Sequence, residues 1–134
     1  MKPTDSIPMA IKIYGGIIAV LGLFFAYACY FNPAQISPGA VLDNTSIKLA
    51  FYTVGALALG LSVGLALAII SNRPKSMALI LIVRVVVALQ DLGIALALGL
   101  GVGLVIFQVI VSLLGIASIV KLFAIIKTAE HQAA

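Results

Sequence analysis

Three polar side chains, Arg84, Gln90 and Asp91, interrupt an apolar, proline-free stretch at residues 77–100. The stretch exceeds the roughly 20 residues that a helix needs to cross a bilayer. Ionisable groups inside a membrane are costly, and they usually face a bundle interior or water. Arg84 and Asp91 are seven positions apart, so they lie on nearly the same face of a helix. We therefore expect any binding function to be found around these side chains.

The sequence leaves more than one role open for each charge. The long Arg84 side chain either extends back to the lipid headgroups, binds an anion or headgroup inside the bundle, or contacts a partner subunit. Asp91 lies near the middle of the span, where it either holds two helices together or forms a proton or ligand site. A direct ion pair is disfavoured, because the two residues are separated by about 10 Å along the axis. Gln108 on the next span is the expected partner of Asp91.

The composition excludes a conventional soluble fold. Hydrophobic residues make up 63% of the 134 residues and charged residues only 9%, whereas soluble domains are about 45–50% apolar and about 25% charged. We predict an all-α membrane protein, a four-transmembrane-helix bundle with both termini cytoplasmic, in which residues 1–134 form a single integral membrane domain. The predicted spans are 9–31, 47–70, 77–100 and 102–126, with an outer loop at 32–46 and a basic cytoplasmic turn at 71–76.

The orientation follows from the lysines and arginines. An even number of spans places both termini on one side, together with the turn at 71–76. Lys48 alone then lies on the opposite side. Cytoplasmic loops carry the excess of positive charge, which predicts a multi-pass protein of a bacterial inner membrane. The cations predicted to be cytoplasmic are Lys2, Lys12, Arg73, Lys75, Lys121 and Lys127.

Small residues recur at helical spacing in every span. In lipid, helix association depends on the close packing of such residues, so we expect a compact bundle with faces suited to helix contacts. Gly60 and Gly64 form a GxxxG pair in the second span. The glycines predicted to pack between helices are Gly15, Gly22, Gly60, Gly64 and Gly115.

No group of residues in the sequence suggests catalysis. There is no nucleophile–base pair, and one cysteine and one histidine do not make a metal site. We therefore predict no catalytic residues, no metal and no cofactor, and an intramembrane enzyme acting on a lipid is the weakest alternative. A basic patch with interleaved aromatic residues is also lacking, which argues against nucleic acid as a partner.

The order of features resembles the DoxX-like group of small four-helix bacterial membrane proteins, particularly its DUF4345-type members. The resemblance covers about residues 12–126. It rests on a glycine-containing first span followed by Phe31-Asn32-Pro33, a glycine-rich second span, a basic turn, and Arg84 followed by Asp91-Leu92-Gly93. It implies a four-helix bundle and an accessory role near respiratory or redox complexes. No span contains a histidine that could ligate haem, so electrons would have to be carried by a partner.

Two functions from different classes follow. The leading hypothesis is a non-enzymatic accessory or scaffold subunit in the lipid bilayer, acting as a homo-oligomer or with other membrane-protein subunits. The alternative is a binder or transporter of a small molecule such as a lipid, a quinone or another amphiphile. Its midplane site would be lined by Arg84, Gln90, Asp91 and Gln108.

Overall fold

A computed structural model describes residues 6–134 of the protein. Each of its four α helices is long and apolar enough to cross a membrane, and no strand occurs within residues 6–134. The prediction of an all-α protein with four apolar helices is therefore confirmed. Lys2, one of the predicted cytoplasmic cations, lies outside the described residues. The helices are α1 (Met9–Phe31), α2 (Thr45–Ser71), α3 (Pro74–Ala97) and α4 (Val102–Ala133), with a short 3₁₀ turn at Pro33–Gln35.

Local chemistry explains where α2 and α3 begin. The Ile47 N–H donates to Asn44 Oδ1 at 2.9 Å, which satisfies one of the free N–H groups at the start of α2. Asn72 adopts a positive φ of 52° between α2 and α3, a conformation that asparagine tolerates better than most residues. Proline at position 74 then opens α3, three residues before the predicted span, where its missing N–H has no cost.

The turn between α3 and α4 is built around Gly99, which has a φ of 64°. The Leu100 N–H donates to the Ala95 carbonyl at 2.9 Å, and the Gly99 N–H donates to Leu96 at 3.4 Å. This pair of bonds is the Schellman arrangement that closes many helices. The third helix therefore ends at Ala97, earlier than the predicted span, and α4 begins at Val102.

The chain divides into two compact units. The α1–α2 unit comprises Ile13–Leu67, and the α3–α4 unit comprises the described residues up to Lys12 together with Ala68–Ala134. In the α1–α2 unit, the rings of Tyr30 and Tyr52 lie 5.3 Å apart, a distance typical of tilted aromatic pairs.

In the α3–α4 unit, the two helices pack against each other, and the short turn makes them antiparallel. Buried side chains recur every three or four positions on both helices, as a helical contact face requires. On α3 they include Leu81, Val85, Ala88 and Ala95, and on α4 they include Gln108, Ser112, Gly115, Ser118 and Leu122.

Two contacts join three chain segments at one end of the α3–α4 unit. The Ile7 N–H, just before α1, donates to Asn72 Oδ1 at 3.1 Å. Lys75 Nζ, at the start of α3, lies 2.8 Å from Glu130 Oε1 near the end of α4. The segment before α1, the α2–α3 turn and the last turns of α4 therefore meet. We call this region the basic end and define it by Lys12, Arg73, Lys75, Lys121 and Lys127.

Candidate functional site

The polar residues of α3 do not share one environment. Arg84 and Asp91 are half-buried and lie beside the buried Val85 and Ala88. Gln90 is exposed, because one residue along a helix rotates the side chain by about 100°. The structure therefore places Arg84 and Asp91 at the edge of the helix contact face and Gln90 away from it.

Arg84 and Asp91 do not form an ion pair. In the described part of the chain, no salt bridge within 4.0 Å joins them. The axial separation of about 10 Å between residues seven apart accounts for this. Neither side chain forms a salt bridge with any other described residue.

Gln108 is the polar side chain of α4 with an unmet hydrogen-bonding requirement. It is only 8% exposed, and its Oε1 atom is buried without a hydrogen-bond partner among the described residues. An unsatisfied buried acceptor costs about 1–3 kcal/mol. Its main-chain carbonyl, by contrast, accepts a bond of 2.7 Å from the Ser112 hydroxyl.

Asp91 and Gln108 share a level but are not joined by a hydrogen bond. Each lies six residues from its helix end, Ala97 or Val102, and is therefore about 9 Å from the turn. Within residues 6–134 no hydrogen bond links the two side chains, and Gln108 Oε1 has no partner. The predicted pairing of Asp91 with Gln108 is therefore not formed, although both residues lie at the same distance from the turn.

The predicted packing glycines have different surroundings. Gly15 and Gly115 are buried, and Gly22 and Gly64 are half-buried. A Cβ placed on Gly22 would collide with the Ser62 hydroxyl, so Gly22 does lie at a close contact between α1 and α2. Gly60 is exposed, and a Cβ there would meet nothing within 4 Å.

Gly55 is a close-contact glycine that the sequence reasoning missed. A Cβ on Gly55 would lie 2.9 Å from Cys29 Cβ and 3.1 Å from Tyr30 Cε2. Gly55 follows Tyr52 by three positions, so the two share a helix face, and Tyr52 contacts Tyr30. A predicted contact between Tyr30 and Tyr52 would therefore also have predicted that Gly55 faces α1.

An apolar groove of about 390 Å³ lies at the turn of the α3–α4 unit. None of the four predicted ligand-binding residues lines it, although Val105 is one helical turn from Gln108. Its lining residues are Ala95, Leu96, Gly99, Leu100, Gly101, Val102 and Val105.

The remaining reactive side chains do not assemble into a site. Cys29 is a free, buried thiol, and His131 is exposed near the end of α4. A search of residues 6–134 finds no group of three or more side chains suited to hold a metal ion.

Comparisons with protein-family models, with curated proteins and with solved structures found no match. The resemblance to the DoxX-like group therefore stays a prediction from the sequence. Functional proposals for this chain rest on its own residues.

Proposed function

We propose that the protein is a non-enzymatic accessory or scaffold subunit of a bacterial inner membrane. It assembles as a homo-oligomer or with other membrane-protein subunits. Four apolar helices that could cross a bilayer support the membrane setting. The DoxX-like resemblance agrees with an accessory role.

The observation that carries the proposal is the open surface around Gly60 on α2. Gly60 is exposed with nothing within 4 Å of a built Cβ, and its neighbours Leu57 and Val63 are also exposed. Gly64 follows one turn later. A glycine pair flanked by larger apolar side chains forms a shallow cleft that lets a second helix approach closely. This face suits a helix from another subunit.

The oligomeric state in lipid nanodiscs, measured by native mass spectrometry, tests this proposal. We expect multiples of the subunit mass, or co-purified membrane proteins, for the wild type. Gly60→Leu should weaken the assembly by about 1–3 kcal/mol, because it overpacks the contact. Gly103→Leu is the matched control, since Gly103 is also exposed with nothing within 4 Å but its helical neighbour at i+4 is Phe107. A monomer that brings no partner from native membranes would refute the scaffold role.

The orientation belongs to the same proposal. The basic end joins the residues before α1 to the last turns of α4. Lys48 lies near the start of α2, about 35 Å along the helix from Ser71. Positive charge concentrates on the cytoplasmic side of membrane proteins. We therefore place both termini in the cytoplasm.

A second candidate function, the binding of a small amphiphile, is favoured by Gln108 Oε1, which is buried without a hydrogen-bond partner among the described residues. A small amphiphile, such as a lipid or quinol, carries hydroxyl groups that could donate to this buried acceptor. Native mass spectrometry with added ubiquinol should then show an adduct for the wild type that Gln108→Leu abolishes. Gln90→Leu is the control, since Gln90 is exposed. If Gln108→Leu leaves the spectrum unchanged and only stabilises the fold, the residue has no ligand role.

A further inference from the structure

The basic end carries more positive charge than its own carboxylate neutralises. Glu130 is the carboxylate at this end among the described residues, and it pairs with Lys75 at 2.8 Å. Arg73, Lys121 and Lys127 are exposed, and none of them forms a salt bridge within residues 6–134. Within the described part of the chain, these three cations therefore have no ion-pair partner.

The position of Lys121 along α4 places it at the edge of the hydrocarbon. Residues 102–120 of α4 are uncharged, and they extend for about 28 Å. The hydrocarbon core of a bilayer is about 30 Å thick. With Val102 taken as the opposite boundary, Lys121 lies at the edge of the hydrocarbon, next to the headgroup region, and Lys127 lies about 9 Å further out.

Arg84 approaches the same level from α3. It is half-buried, and it lies about 20 Å from Ala97 along the helix. Helical side chains lean toward the N-terminus of their helix, which for α3 is the basic end. The guanidinium is therefore closer to the level of Lys121 than its own Cα is. No carboxylate lies within 4.0 Å of it in the described part of the chain.

We propose that Arg84 and Lys121 together bind the phosphate of an anionic phospholipid. A guanidinium forms bidentate bonds with phosphate oxygens, and a lysine ammonium adds a second charge. The site is at the bilayer boundary, and exposed Val83 and Val120 beside the two cations offer apolar surface for acyl chains. These features favour a lipid over a soluble phosphate. The inference goes beyond the scaffold proposal and does not depend on the oligomeric state.

The test is a native mass spectrometry titration of the purified protein in mild detergent. Phosphatidylglycerol and phosphatidylcholine with identical acyl chains are compared, so that only the headgroup charge differs. We expect tighter binding of phosphatidylglycerol. Arg84→Gln and Lys121→Gln should each weaken that binding about fivefold, as expected for the loss of one cation near an anionic lipid. Arg84→Lys should keep only part of it, because lysine retains the charge but cannot form the bidentate bonds.

Lys48→Gln is the matched control, because it removes an exposed cation near the start of α2. Equal binding of the two lipids would overturn the proposal, and so would an equal loss from Lys48→Gln.

Displacement of the lipid by glycerol phosphate, which lacks acyl chains, would instead identify a soluble-anion site and overturn the lipid assignment. Circular dichroism checks that each variant is folded. If Arg84→Gln does not fold, Lys121→Gln decides the question. The same spectra report the oligomeric state. A failure of the scaffold proposal is therefore distinguishable from a failure of the lipid proposal.

Discussion

At the residue scale, the contact between α1 and α2 depends on the missing side chain of Gly55. Cys29 Cβ would lie only 2.9 Å from a Cβ at this position. Cys29 is buried with 1% of its surface exposed, and its Cβ is fixed to the α1 backbone. A methyl group at residue 55 therefore has to push the two helices apart.

We predict that Gly55→Ala destabilises the protein by about 1–3 kcal/mol, the usual penalty of overpacking. The control is Gly16→Ala in α1, where a Cβ would meet nothing within 4 Å. Alanine there should be neutral or stabilising by up to about 1 kcal/mol, because it favours the helix. Unfolding by sodium dodecyl sulfate in mixed micelles, followed by circular dichroism, measures both variants. Equal stability of the two would show that the α1–α2 contact is looser than described.

The same residue shows what the sequence could and could not predict about packing. Glycines at helical spacing predict that some helix faces approach closely, and Gly22 does meet Ser62. Spacing does not say which glycine faces a neighbour: Gly60 is open and Gly55 is crowded. The rise per residue likewise places Asp91 and Gln108 at one level. It does not determine the rotation of each helix about its axis, which decides whether their side chains meet.

At the element scale, the ends of the helices are set by local backbone chemistry that hydropathy does not report. Apolarity continues through Leu98 and Leu100, yet α3 ends at Ala97, because Gly99 adopts the left-handed conformation. At the other end of the hairpin, α4 continues past the predicted limit of 126 to Ala133. Its final residues are mostly good helix formers, such as alanine, lysine and glutamate, and Glu130 pairs with Lys75.

The left-handed conformation of Gly99 makes the α3–α4 turn sensitive to one substitution. We predict that Gly99→Ala destabilises the protein by about 1–2 kcal/mol, the cost of a left-handed conformation for a residue with a Cβ. Gly103→Ala is the control, because Gly103 lies within α4 and has open space around it. Thermal unfolding in detergent compares the two. A larger loss from Gly103→Ala would contradict the assignment of the turn.

At the scale of the whole molecule, the charges and the contacts agree on which chain segments lie together. From the sequence, the cations are predicted to lie on one side of the membrane because the number of spans is even. Independently, the bonds from Ile7 to Asn72 and from Lys75 to Glu130 bring the segment before α1 and the last turns of α4 to the α2–α3 turn. These contacts do not tell which side of the membrane the basic end faces. That prediction rests only on the distribution of positive charge.

Cysteine labelling tests the proposed sidedness in a bacterium that expresses the protein. Cys29 is the one cysteine of the chain, so Cys29→Ala gives a background without thiols. Into it we introduce Ser37→Cys, in the loop between α1 and α2, or His131→Cys, near the end of α4; both positions are exposed. A membrane-impermeant maleimide should label the Ser37→Cys variant in intact cells, and the His131→Cys variant only after the inner membrane is permeabilised. The opposite pattern would place the basic end outside the cell, against the positive-inside rule. Labelling of both variants from outside would mean that α2, α3 and α4 together cross the membrane an even number of times instead of three times.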